Sequence, residues 1–156
     1  MMHNWFECKI KYEKTMENGL TKPVTEPYLV DALSFTEAEA RIIEEMTPYI
    51  SGEFTVSDIK RAKYSELFFA EDAESDRWFK CKLTFITLDE KSGSEKKTST
   101  NVLVQATDLR DAVKKLDEGM KGSMPDYIIS SVAETNIMDV YPYTEGPHDK
   151  PEFPEA

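Results

Sequence analysis

Residue types that do acid–base, nucleophilic or metal chemistry are few in this chain and badly spaced for it. The two histidines, His3 and His148, stand near opposite ends with no partner carboxylate in a recognisable motif. The two cysteines, Cys8 and Cys81, show neither CxxC nor Cys/His spacing, so no zinc site and no disulfide framework is written here. No glycine-rich phosphate loop, nucleophile elbow or HExxH helix occurs. Carboxylates are plentiful, but Glu44 and Glu45 are typical in belonging to a helix face that water would solvate. No catalytic residue, metal ligand or cofactor is assigned, and the chain reads as a non-enzyme.

The pattern with the most chemical content is written twice. NWFECKIKY (4–12) returns as RWFKCKLTF (77–85), 73 residues later. In the first copy Phe6, Cys8, Ile10 and Tyr12 alternate with Trp5, Glu7, Lys9 and Lys11. In the second, Phe79, Cys81, Leu83 and Phe85 alternate with Trp78, Lys80, Lys82 and Thr84. Period two marks a strand with one face on a core. The cysteines then read as small buried hydrophobes, a bridge or a reactive thiol being the other option. With the phenylalanines turned inward, the tryptophans and lysines share the opposite face, which helices on one side would leave open. Indole rings flanked by ammonium groups would stack a nucleobase and neutralise phosphate.

The turn KSGSEKK (91–97) adds Lys96 and Lys97, as a phosphate-contacting flap or simply a soluble hairpin tip. The expected ligand-binding set is Trp5, Trp78, Lys9, Lys11, Lys80, Lys82, Lys96 and Lys97. The plainer alternative has the tryptophans completing an oligomer interface or packing under the tail.

The elements that must hold these residues also come in two copies. A hairpin signal follows each first strand: Asn18-Gly19 in KTMENGLTKP and Ser92-Gly93 in DEKSGSEKKT. LVDALSFTEAEARI (29–42) then matches LVQATDLRDAVKKL (103–116), with a one-residue shift in offset. Ser34 and Glu37 form a capping box, and Asp108 with Asp111 a looser helix start. Phe35, Ala38, Ile42 and Met46 make one apolar stripe; Leu109, Ala112, Val113, Leu116 and Met120 make the other. A final extended stretch, 54–68, matches 127–141, and its fifteen residues predict a bend or bulge near 58–62 and 131–135.

The fold class expected is therefore α+β: a duplicated β-β-α-β unit forming antiparallel sheet with two helices on one face. Residues 1–143 are read as a single domain of two repeats, 4–68 and 77–141, joined by the acidic linker 69–76. Residues 144–156 are rich in proline and acid without apolar periodicity, and are read as a disordered tail.

Composition narrows the partners. The formal net charge of −11 opposes duplex nucleic acid and anionic membranes at long range. No apolar run is long enough to cross a bilayer, and the N-terminus lacks signal-peptide organisation, so a cytoplasmic protein is expected.

Four stretches carry a family resemblance: WFECKIKYEKTMENG, TEPYLVDALSFTEAEARIIEEMTPYISGEF, DRWFKCKLTFITLDEKSG and DLRDAVKKLDEGMKG. Over about residues 4 to 143 the chain resembles a family of bacterial and phage proteins known only as a domain of unknown function. The resemblance implies no activity and no site residues. The functional expectation rests on the residues themselves: a non-catalytic, homo-oligomeric binding protein for a small anionic ligand such as a nucleotide. In a phage setting that ligand would be a cyclic nucleotide immune signal. The alternatives are an accessory protein binding single-stranded nucleic acid, with a partner protein docked on the tail through Phe153, or a pure protein-interaction module.

Overall fold

The computed structural model describes residues 4–122 and 126–142. His3, His148 and the tail 144–156 lie outside the described residues. The fold is α+β; the described residues form two helices and eight strands in two four-stranded sheets. The described residues divide into two units, 4–62 with 138–142 and 63–122 with 126–137.

In the first unit, β1 (Trp5–Thr15) and β2 (Thr21–Asp31) form a long antiparallel hairpin, from Trp5 opposite Asp31 to Thr15 opposite Thr21. Its turn needs Gly19, whose φ of 85° is open to glycine at no steric cost. The Asn18 side chain closes the turn by accepting from the Leu20 amide at 3.0 Å. Helix α1 (Phe35–Met46) starts where the capping box requires: the Ser34 hydroxyl accepts from the Glu37 amide at 3.1 Å, and the Glu37 carboxylate accepts from the Leu33 amide. Ala38, Ile42 and Met46 are buried against Phe6, Cys8 and Ile10. β3 (Phe54–Ala62) then returns antiparallel to β1.

The second unit repeats these steps. β5 (Arg77–Leu88) and β6 (Glu95–Ala106) form the hairpin, α2 (Leu109–Gly119) is capped by Asp108, and β7 (Tyr127–Glu134) lies against β5. Ala112 and Leu116 are buried with Phe79, Cys81 and Leu83. Both apolar stripes begin later than their spacing suggests, since Phe35 and Leu109 stay about half exposed. The register slips between Lys9 and Ile10 in one unit and between Lys82 and Leu83 in the other, 73 residues apart. These are the expected bulges, placed a little earlier, at Ser57 and Ser130.

The final stretch of each repeat is broken, and its last piece changes sheets. β4 (Glu66–Phe68) runs parallel to β6, giving the order β4-β6-β5-β7. β8 (Asp139–Tyr141) runs parallel to β2, giving β3-β1-β2-β8. Leu67 stands opposite Leu103, and Val140 opposite Leu29. The sequence repeats 4–68 and 77–141 thus differ from the spatial units by a reciprocal exchange of three-residue strands, and each sheet carries a single helix.

Candidate functional site

The face opposite each helix begins with tryptophan, as the alternation requires, but neither ring is open. Trp5 is 5% exposed and Trp78 only 2%. This corrects the expected aromatic platform. The reason lies along the same face: Leu29 and Leu103, the middle residues of YLV and VLV, are also fully buried, although they belong to neither helix-side cluster. At this end both faces of each hairpin are apolar and covered. Trp78 is further fixed by Phe69, edge-on at 5.3 Å, and by the Thr135 amide and hydroxyl, which both donate to its carbonyl at 2.9 Å. Neither indole is available to stack on a base.

The lysines divide between the units. In the first, Lys9 is half-buried opposite Pro27 and Asp58, so one cross-strand neighbour already carries the opposite charge. Lys11 is exposed and borders a recess of about 330 Å³ together with Tyr12, Phe54, Glu13 and Glu53. Acidic neighbours therefore accompany both.

In the second unit Lys80 and Lys82 are exposed, and their cross-strand neighbours are uncharged: Leu103 and Ala133 for Lys80, Asn101 and Ser131 for Lys82. Farther along the same face comes Thr84, whose hydroxyl lies 2.6 Å from that of Ser130 and 3.3 Å from that of Ser99. The bulge brings Ser130 there, by turning one extra residue of β7 toward Thr84. Lys97 follows, two residues before Ser99 on β6. Lys96, one step off in the alternation, belongs to the other face.

The geometry thus gathers Lys80, Lys82 and Lys97 with a row of hydroxyls across three strands of one unit. It does not add Lys9, Lys11, Lys96 or the tryptophans to that row. The hydroxyl row was missed in the sequence because it depends on cross-strand register and on a bulge.

A second polar centre holds Lys115 on α2. Its ammonium reaches Asp111 Oδ2 at 2.9 Å, Asp72 Oδ1 at 3.1 Å and the Ser75 hydroxyl at 2.5 Å. Three acceptors use its three donors. The Ser75 and Lys115 side chains hold the Asp72 carboxyl below its usual range; the Thr107 amide and then Lys115 do the same for Asp111. The acidic stretch 69–76 is therefore tied to the helix rather than left as a bare linker.

Both cysteines are buried free thiols. Burial, with smaller contributions from nearby carboxylates such as Glu7, pushes Cys8 up to about 12, and burial alone pushes Cys81 up to about 11. A thiol so raised stays protonated and is a poor nucleophile at neutral pH. Among the described residues no group of three or more His, Cys, Asp or Glu could hold a metal ion, and no helix is long and apolar enough to cross a membrane.

No curated protein and no solved structure matches the chain. One family model does, and it covers residues 4–143, both hairpins and both helices included. The chain belongs to the family described as Domain of unknown function (DUF4494).

Proposed function

We propose that the protein is a non-catalytic binding protein for a phosphate-bearing anionic ligand, held on the open face of the second unit. One observation carries this reading: Lys82 and Lys97 flank the Thr84–Ser130–Ser99 hydroxyl row with no acidic residue opposite Lys80 or Lys82. Ammonium groups supply charge, and hydroxyls supply short donors that phosphate oxygens accept. A small nucleotide, cyclic ones included, is the ligand class proposed, and a homo-oligomer in the cytoplasm of a bacterium, or of one infected by phage, is the setting.

A second reading takes the same phosphate chemistry along a single strand of nucleic acid. Lys80 and Lys82 are two residues apart on β5, about 7 Å along a strand. That step is close to the spacing of successive phosphates on an extended chain, and an open sheet suits a polymer. Such binding rests on phosphate contacts without base stacking by Trp5 or Trp78, and weakens steeply with salt.

Calorimetric titration of a panel of linear and cyclic nucleotides, beside an oligothymidylate strand, tests both readings. Mass in solution is measured on the same samples. Binding that falls at least tenfold in Lys82→Ala/Lys97→Ala supports the site, and the ligand that binds decides between the readings. If no panel member binds the monodisperse protein, or if the double variant binds as tightly as the parent, this face is not the site.

A further inference from the structure

The second unit also contains a cleft of about 490 Å³, within the range of small-ligand sites, lined by residues of β4 and the segment after it, of β6 and of α2. Phe68 and Phe69 form its apolar wall, and Phe69 remains 49% exposed although its ring meets Trp78. Glu71, Asp72, Glu118 and Lys115 line the rest, with Gln105 at the back. The Gln105 side-chain oxygen, Oε1, is occupied by the Ala70 amide at 3.0 Å. Lys115 is occupied by Asp72, Asp111 and Ser75, so the one cation of the cleft has no donor left for an incoming anion. The Glu71 and Glu118 carboxylates, by contrast, make no hydrogen bond or ion pair with the described residues. Gly119 brings no side chain, and Phe68 lies against it.

We infer that this cleft binds a cationic group on a short apolar stem, an alkylammonium or guanidinium. The half-exposed Phe69 ring offers its π-system to the cation, and Glu71 and Glu118 offer charge. The site is distinct from the lysine face and of opposite selectivity, so it stands or falls separately. A free amine and a basic side chain of a peptide share this chemistry, and the test has an arm for each.

Backbone amide NMR of the full chain is followed while lysine methyl ester, arginine methyl ester or a short Lys/Arg-containing peptide is added, with acetate as the anionic control. Shifts should concentrate at Phe69–Asp72 and Glu118–Gly119 and be absent with acetate. Binding should weaken about fivefold in Glu118→Gln and again in Glu71→Gln, the loss of one ion-pair contribution each. These exposed changes leave the Lys115 network intact, and a preserved amide spectrum confirms folding. A stronger response to the peptide than to the esters identifies a partner polypeptide; the reverse identifies a small amine. If no amide in the cleft moves with any cationic probe, or if the double variant Glu71→Gln/Glu118→Gln binds as the parent does, the inference is wrong.

Discussion

The ring of Phe68, at the end of the exchanged strand β4, lies so close to Gly119 that a methyl group placed there would sit 2.7 Å from its Cε1 and 2.8 Å from its Cδ1. Both residues belong to the second unit, and the contact joins the parallel edge strand to the last turn of α2. Phe68 also packs on the core that contains Leu116. Glycine at the end of this helix is therefore a packing requirement.

Gly119→Ala sets two effects against each other. Alanine is favoured over glycine in a helix by about 1 kcal/mol, whereas overpacking a fitted contact costs about 1–3 kcal/mol. The core backs the ring on one side and the cleft lies on another, so the ring yields only in part, the steric effect wins, and a net loss of about 1 kcal/mol is expected in urea unfolding. Phe68→Leu should remove the penalty. A double-mutant cycle showing no coupling between the two positions would mean that the ring shifts freely and the contact has no energetic weight.

The Lys115 network predicts an acid limit to stability. Asp72 and Asp111 have carboxyls held below their ordinary range in the folded chain, so the folded state binds these protons less well than the unfolded state. Their contribution is complete above about pH 4, the unfolded value, and is lost as pH falls through the lower folded values. Melting temperature should hold between pH 7 and 5 and drop below 4. Lys115→Met should make that acid drop shallower; an unchanged profile would show that the ion pairs are too well screened to matter.

The buried thiols predict an alkaline limit of the opposite sign. Folded Cys8 and Cys81 are raised to about 12 and about 11. Their contribution is intact below the unfolded value of about 8.5 and declines as pH rises from there toward the folded values. Ellman's reagent at pH 8 should leave both thiols untouched in the native protein and titrate both in guanidinium. Fast reaction of either thiol under native conditions would contradict the packed cores around them.

Much of this fold was legible because its signals are local. Asn18-Gly19 and Ser92-Gly93 set the hairpins, Ser34 and Asp108 begin the helices, and the duplicated Phe/Cys stripe faces the helices in both units. The sheet-changing strands were not legible, since β4 and β8 are three residues each and their parallel partners are more than thirty residues away in sequence. The lysines of the candidate site could be placed on a face, but not matched with neighbours. Only the ladders reveal that Lys9 meets Asp58 while Lys82 meets Ser131.

The tryptophans show where periodicity stops. Alternation says that Trp5 and Phe6 point to opposite faces; it does not say that one of those faces is wet. The corrective signal was present in YLV and VLV, where three successive apolar residues imply burial on both sides of the strand. Both indoles should accordingly emit at short wavelength in the native protein and resist quenching by acrylamide, with a red shift only on unfolding. Trp78→Ala should cost about 3–5 kcal/mol, as large aromatic truncations in a packed interior do, and Trp78→Phe much less. If instead both native indoles were quenched like free tryptophan, and Trp78→Ala were neutral for stability but abolished nucleotide binding, the open aromatic platform would return and the lysine face would have its stacking partner.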